Sequence, residues 1–148
     1  MSALSVMRIA GSGLTAQRLR MDVTASNIAN AEATRTADGG PYKRESVVFT
    51  PRPAAGGLRL LSTAGAGGAA PTQGVQVQAI VQDQSPPREV LDPSHPDADA
   101  DGYVAFPNVD LVTEMTDMMS ASRAYEANVT MINVAKNMAQ RALDIGRL

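Results

Sequence analysis

Two apolar stripes at heptad spacing, one near each end of the chain, dominate the hydrophobic pattern. The members of the N-terminal stripe are Met7, Leu14, Met21 and Ile28. A seven-residue repeat keeps one face of an α-helix against a partner helix. We therefore predict a helix from about Leu4 to Asn30. Gly11 and Gly13 lie inside it and weaken it, so it requires a neighbour, whose backbone could approach closely where side chains are missing.

The second stripe lies in a segment that no proline or glycine interrupts. Its members, which alternate steps of four and three residues, are Leu111, Met115, Met118, Ser122, Tyr125, Val129 and Ile132. This spacing predicts a second long helix. Asn108, directly after Pro107, is a favourable N-cap residue, and we expect the helix to continue to about Leu143.

Between these helices the helical period disappears, and all nine prolines of the chain fall between Pro41 and Pro107. Glu45–Thr50 is a predicted strand. Val75–Gln82 alternates apolar and polar residues, which predicts a second strand with one apolar face. The residues expected on that face are Val75, Val77, Ala79 and Val81. Shorter strands are expected at Leu58–Leu61, Glu89–Leu91 and Tyr103–Phe106, with an Ala/Gly-rich loop before Val75.

The pattern predicts an α+β protein in which long N- and C-terminal helices pack in a coiled-coil-like manner around a small middle β unit. We divide the chain into an N-terminal helix with its following segment (1–36), the β-rich unit with its loop (37–107) and the C-terminal helix (108–148). The β unit is small for independent stability.

Composition and charge narrow the possible functions. The chain has 148 residues, no cysteine and no tryptophan, and its net charge of −2 gives no reason to expect a nucleic-acid partner. Without cysteine there are no disulfides and no thiolate metal sites. The N-terminal sequence resembles neither a signal peptide nor a membrane anchor.

Charge is distributed unevenly along the chain. Residues 1–60 hold eight Lys/Arg against four Asp/Glu, whereas residues 61–148 hold five against eleven. Opposite net charges in the two halves of the chain favour head-to-tail association. Charged faces exposed to solvent explain such an uneven charge distribution as often. We expect Arg18 and Arg20 to pair with acidic residues of a neighbouring helix, such as Glu114 or Asp117, across a subunit boundary.

Candidate chemistry is sparse. Residues 97–102, with the sequence DADADG, match the first six positions of an EF-hand loop, but Asn108 replaces the bidentate glutamate at position twelve and prolines precede the loop. We interpret the segment as an acidic turn. His95 is the only histidine, so no histidine-based triad or multi-histidine metal site exists. We expect no catalytic residue, no metal and no cofactor.

The quoted segments resemble the axial proteins of the bacterial flagellum, its rod and hook proteins. Residues 26–30, with the sequence SNIAN, are similar to the N-terminal signature of that family, and residues 31–42 are similar to proximal rod proteins. The C-terminal segments that resemble the family are 101–104, 107–115 and 122–128.

This resemblance implies a structural subunit without enzymatic activity, located in the periplasmic rod of the basal body and exported without a cleaved signal peptide. It implies assembly into a helical tube that lines the export channel and transmits torque from rotor ring to hook. The implied partners are further copies, the rod proteins FlgB, FlgF and FlgG, the rotor-ring adapter FliE and the type III export apparatus. Direct membrane insertion is not expected.

The candidate subunit-interface residues are Met7, Leu14, Met21, Asn27, Ile28, Asn30, Leu111, Met115, Met118, Tyr125, Val129 and Ile132. Because covering these stripes requires other molecules, we expect the helical ends of the isolated chain to be loosely ordered. The alternative from another class is a small periplasmic binding module, in which the β unit holds a ligand and the helices dimerise.

Overall fold

The computed structural model describes residues 3–37, 39–53 and 72–146, and two long antiparallel helices form its main body. Helix α1 spans Ala3–Ala29 and helix α2 spans Leu111–Ile145. At 1.5 Å per residue they are about 40 and 52 Å long. The strands between them are β1 (Glu45–Pro53), β2 (Thr72–Gln82), β3 (Arg88–Leu91) and β4 (Tyr103–Phe106). The predicted α+β class is confirmed.

The N-cap of helix α2 lies two residues later than predicted, at Asp110 and not at Asn108. Asp110 has extended backbone angles and accepts a hydrogen bond from the amide of Val112 at 3.0 Å. The hydroxyl of Thr113 donates to the other carboxylate oxygen at 2.9 Å. The prediction of Asn108 as the cap was therefore wrong, because Asp110 engages the first turn with both of its oxygens.

Strands β1 and β2 form an antiparallel hairpin whose register is interrupted by a bulge. Val48 pairs with Ala79 and Phe49 pairs with Val77, which leaves Gln78 as an extra residue. A bulge reverses the alternation of side chains beyond it. The prediction that Val75, Val77, Ala79 and Val81 share one face was therefore wrong.

Beyond the bulge, Ile80 and not Ala79 lies on the face of the hairpin that carries Val75 and Val77, because Ile80 pairs with Val47. Ala79 and Val81 are exposed on the opposite face. Strands β3 and β4 form a separate antiparallel pair, in which Arg88 pairs with Phe106. The predicted strand at Leu58–Leu61 and the Ala/Gly-rich loop lie outside the described residues.

The β1–β2 hairpin packs on α1 through a close backbone approach. The amide of Val75 donates to the hydroxyl of Ser12 at 3.1 Å, and that hydroxyl donates to the carbonyl of Ile9 at 2.7 Å. Gly74 next to it has φ +119°, and a Cβ there would collide with the Ser12 hydroxyl. Glycine is required at this position both for its dihedral angle and for the contact.

Small and polar side chains make up most of the buried interior of the described residues, which also includes Val23 and Val104. Of the described residues, those with less than a tenth of their surface exposed include the alanines Ala10, Ala16, Ala31, Ala121 and Ala135, and the polar residues Thr24, Asn27 and Glu114. Among the described helices and strands, α2 packs only against α1. The described part of the chain therefore leaves most of the circumference of α2 uncovered.

Candidate assembly surfaces and the junction that positions them

Asn27 is the centre of a junction between α1, β1 and α2. Its side chain is 1% exposed, and all four of its hydrogen-bonding positions are used. Nδ2 donates to the carbonyl of Glu45 at 2.8 Å and to Oε2 of Glu114 at 3.0 Å. Oδ1 accepts from the amide of Glu45 at 2.9 Å and from the hydroxyl of Tyr42 at 3.0 Å. One asparagine thus fixes the start of β1 against both helices.

Glu114 is the charged member of this junction and is also 1% exposed. Its Oε1 accepts a hydrogen bond from Nε of Arg44 at 2.6 Å, while its Oε2 accepts from Asn27. A buried carboxylate is costly unless it is paired and hydrogen-bonded. Arg44 and Asn27 together supply the ion pair and the hydrogen bond that this carboxylate needs. The position of α2 therefore depends on Arg44, which directly precedes β1, and on Asn27 in α1.

Asp117, one helical turn further along α2, extends the ion-pair network. Arg20 donates to its Oδ1 at 2.9 Å, and Nη2 of Arg44 lies 3.7 Å from its Oδ2. The predicted partner of Arg20 is confirmed, but the predicted subunit boundary is wrong, because both residues belong to one chain. The side chains of Arg20 and Asp117 are each about a third exposed, so this pair stabilises less than the Arg44–Glu114 pair.

A glycine permits close contact midway along the helix pair. A Cβ at Gly13 would lie 2.8 Å from Oδ1 of Asn128 and 3.0 Å from its Cγ. The expectation of a close neighbour is therefore confirmed at Gly13, where the neighbour is a side chain and not a backbone. At Gly11 a Cβ would meet nothing within 4 Å, so no described residue is a close neighbour at that position.

Neither predicted stripe contains a fully buried residue of its helix. Met7, Leu14, Met21 and Ile28 are only half-buried. On α2, Met118, Tyr125 and Ile132 are half-buried, and the exposed members are Leu111, Met115 and Val129. The contacts between the helices include those of Gly13, Arg20 and Asn27 on α1 with Asn128, Asp117 and Glu114 on α2.

Helical geometry places both stripes on one side of the pair. At about 100° per residue, each stripe is centred roughly 90–110° around its helix from the residues that face the other helix. Because the helices are antiparallel, equal offsets bring the stripes to the same side. The α1 residues that line the groove below the hairpin, Ser12, Ala16 and Leu19, are offset in the opposite direction. We call the side with both stripes the seam face.

Asn30 lies one turn after Asn27 at the end of α1 and has a local role. Its Nδ2 donates to the carbonyl of Ser26 at 2.9 Å, which caps the last turn. Asn27, by contrast, has no hydrogen-bonding position left for a neighbouring molecule.

The acidic segment forms a turn. Oδ1 of Asp99 accepts hydrogen bonds from the amides of Asp101 and Tyr103, both at 2.9 Å. Within the described parts of the chain, no group of three potential metal-ligating side chains is present. Nδ1 of His95 accepts from the amide of Asp97, and the His95 ring contacts Phe106 edge-on.

Sequence reasoning missed Arg44 and Tyr42 as members of the junction. Both residues come shortly before a predicted strand and outside either helix, so the helical period of the sequence gives no information about them. The spacing of Glu114, Asp117 and Ala121 could have revealed the α1-facing side of α2, since steps of three and four residues mark one helical face. Because Glu114 and Asp117 are charged, a search for regularly spaced apolar residues does not find this face.

A cavity of about 250 Å³ lies between the helix pair and the hairpin. Its lining includes Arg20, Arg44, Glu114 and Asp117, whose charged groups already pair with one another. None of the helices in the described ranges is long and apolar enough to cross a membrane.

Comparison with known proteins gives matches at both ends and over the full length. Residues 7–35 match a family model described as flagella basal body rod protein, and residues 100–145 match one described as flagellar basal body rod FlgEFG protein C-terminal. The flagellar basal-body rod protein FlgC of Borreliella burgdorferi is 49% identical, with 98% of each chain covered.

Two further relatives carry the same name. FlgC of Escherichia coli is 44% identical, with 99% of this chain and 100% of the relative covered. FlgC of Bacillus subtilis is 43% identical over the same shares.

Proposed function

Because this chain belongs to the FlgC family of flagellar basal-body rod proteins, we propose that its helix pair forms part of a tubular wall in which the seam face contacts neighbouring subunits. As a member of this family it is a structural subunit of the basal-body rod and not an enzyme. It associates with other rod proteins.

The proposal rests on a difference between two faces of each helix, the face that contacts the other helix and the seam face. The contact within the chain uses small and polar residues, which fix register through Asn27 and Glu114 but bury little apolar area. Large apolar side chains, among them Leu111 and Met115, lie exposed on the seam face. Such a face is stable in water only when another apolar surface covers it.

The residues proposed for subunit contacts are the members of the seam face. On α1 they are Met7, Leu14, Met21 and Ile28, and on α2 they are Leu111, Met115, Met118, Tyr125, Val129 and Ile132. We propose a different role for Asn27, which holds the two helices and β1 in the relative position that makes the seam face continuous. Asn30 supports the end of α1 in the same junction.

The finer parts of the function follow from the family resemblance. We propose that the helices line the export channel, that the β unit faces outward and that the assembled wall transmits torque from rotor ring to hook. The proposed neighbours are further copies, FlgB, FlgF, FlgG and FliE. We also propose that the type III export apparatus exports the chain without a cleaved signal peptide.

A structural test uses intact basal bodies from cells in which a tagged copy replaces the native chain. Electron cryomicroscopy at side-chain detail should locate the helix pair in the rod wall, with Leu14 and Met118 against neighbouring subunits. A map with the seam face toward solvent would contradict the proposal. Absence of the tagged chain from basal bodies of swimming cells would contradict the rod function itself.

The family assignment does not favour the alternative of a periplasmic binding module. The cavity gives that alternative little support, since Arg20, Arg44, Glu114 and Asp117 in its lining already pair with one another. Binding of the purified chain to isolated cell wall, together with its absence from basal bodies, would support the binding-module alternative.

A further inference from the structure

Helix α1 has a weak point near its N-terminal end, where Gly11 and Gly13 flank Ser12. Neighbouring glycine and serine residues are among the few sequence features at which helices kink. The hydroxyl of Ser12 also donates to the carbonyl of Ile9 at 2.7 Å, and a local bond of this kind often bends a helix. We call residues 11–13 the hinge segment and residues 3–10, which precede it, the N-terminal arm.

The N-terminal arm has little packing of its own. Among residues 4–10, whose burial the structure describes throughout, only Ala10 is buried, whereas Leu4 and Ile9 are exposed. The buried residues of α1 after the hinge segment are Ala16, Val23, Thr24 and Asn27. Buried side chains therefore hold α1 more firmly after the hinge segment than before it.

The end of the β1–β2 hairpin lies across the hinge segment. The Ser12 hydroxyl that donates to the carbonyl of Ile9 also accepts a hydrogen bond from the amide of Val75 at 3.1 Å. One hydroxyl group thus joins the N-terminal arm to strand β2. Gly74 approaches the same turn, and a Cβ on it would lie 3.5 Å from the Cα of Ile9. We call the contact of Ser12 with Ile9 and Val75 the clasp.

The hairpin is attached to α1 a second time, at Asn27, whose side chain bonds the amide and the carbonyl of Glu45. Asn27 and Ser12 are 15 residues apart, which is about 22 Å along a helix. Glu45 and Pro51, which pairs with Val75, are six residues apart, which is about 20 Å along a strand. Because the two lengths agree, the hairpin lies along α1 and is attached at both ends of this span.

We propose that the hairpin supports α1 along one side, and that the clasp at Ser12 holds the N-terminal arm straight across the hinge segment. Opening the clasp leaves the arm free to bend at residues 11–13. With the clasp closed, Met7 stays one heptad from Leu14 on the same side of the helix, although both glycines lie between them. Resting on the rod function proposed above, the clasp thus keeps Met7 in line with the rest of the seam face.

Ser12→Ala distinguishes the clasp from helix propensity, because the two predict opposite results. Alanine is a better helix former than serine, and the change also removes the local bond to Ile9. If α1 holds itself straight, Ser12→Ala should therefore stiffen it. If the clasp holds the arm, the same change should loosen it.

Spin labels on the full-length chain measure the position of the arm. The chain has no cysteine, so Leu4→Cys and Asp22→Cys provide two defined labelling positions. Both residues are exposed on α1. They are 18 residues apart, or five helical turns, so the labels lie on the same side of a straight helix with their Cα atoms about 27 Å apart. Double electron–electron resonance should give one narrow distance distribution for this labelled chain.

Ser12→Ala in the labelled chain should broaden this distribution and add shorter distances. Thr15→Ala is the matched control and should leave it narrow. The Thr15 hydroxyl makes a similar local bond, to the carbonyl of Gly11 at 3.2 Å, but no hydrogen bond to a described residue of the hairpin.

Two further variants test the clasp and the hinge separately. Gly74→Ala opens the clasp from β2 without changing α1, because its methyl group would collide with the Ser12 hydroxyl, and it should broaden the distribution. Gly11→Ala places a methyl group in open space and removes a glycine from the hinge segment. Added to Ser12→Ala, it should restore the narrow distribution.

Four results would overturn the proposal. A narrow distribution in Ser12→Ala or Gly74→Ala would show that the clasp does not hold the arm, and so would a broad one in the labelled chain with Ser12 in place. Equal broadening in Thr15→Ala would assign the effect to local bonds within the helix. Failure of Gly11→Ala to restore the narrow distribution would show that the arm does not bend at the hinge segment. Because the purified chain is measured, none of these results depends on whether the rod function is correct.

Discussion

Nε of Arg44 lies 2.6 Å from Oε1 of Glu114, a carboxylate that is 1% exposed. This pair joins the residue directly before β1 to the first turn of α2, and the two residues are 70 positions apart in the sequence. Because Asn27 binds the other oxygen of the same carboxylate, three segments of the chain depend on one buried charge.

Arg44→Met should therefore destabilise the chain much more than Arg20→Met. The first change leaves Glu114 buried without its cation, which costs about 3–5 kcal/mol. The second removes a partly exposed pair and should cost no more than about 1 kcal/mol. Urea unfolding of the purified chains, followed by circular dichroism, measures both. Equal losses would mean that Glu114 does not depend on Arg44.

The two glycines of α1 should respond in opposite directions to alanine. Gly11→Ala places a methyl group in open space and should raise the free energy of unfolding by about 0.5–1 kcal/mol through helix propensity. Gly13→Ala gains the same propensity but forces Asn128 to move, so its stability should fall below that of Gly11→Ala.

A double variant isolates the cause of this difference. Adding Asn128→Ala to Gly13→Ala removes the crowded side chain, and the combined effect should be less destabilising than the sum of the single changes. Additive effects in a thermal-unfolding cycle would contradict the proposed contact.

The pKa of Asp110 should lie below 3.8, its ordinary value, because the Thr113 hydroxyl and the Val112 amide both donate to the ionised carboxyl group. A lowered pKa in the folded chain stabilises folding above the ordinary value, and this contribution is lost as pH falls through the lowered value. An NMR titration of the Asp110 carboxyl carbon measures it. Thr113→Ala should move the midpoint upward, and an unchanged midpoint would refute the assigned cause.

Met118→Asp should prevent rod assembly while leaving export intact. The change places an unpaired charge on the seam face, at a cost of several kcal/mol once a neighbour covers it. Thr130→Asp adds the same charge at an exposed position outside the seam face and should preserve assembly. Swimming assays and export assays on culture supernatants check both variants. Normal swimming of Met118→Asp would show that the seam assignment is wrong.

The elements of the fold were predictable from local pattern, and their side-to-side arrangement was not. Heptad spacing predicted both helices, and alternation predicted β2, because each signal depends on the geometry of a single element. The bulge at Gln78 and the cap at Asp110 escaped prediction, since each depends on a few hydrogen bonds that hydrophobic periodicity does not encode.

The candidate site was predictable only in part for the same reason. The stripes and the pairing of Arg20 with Asp117 follow from spacing and charge. The roles of Arg44 and Tyr42 do not, because irregular chain brings them to Asn27.

The sequence by itself determined that this protein has two long amphipathic helices at its ends, and family similarity determined that they belong to a rod subunit. Only the tertiary structure decided which helix faces meet. The contact within the chain uses glycine, alanine and a satisfied buried network, and it leaves the large apolar residues outside. Helical period identifies an apolar face but not its partner, whereas the buried charge of Glu114 has one geometry that satisfies it, and that geometry sets the packing of the pair.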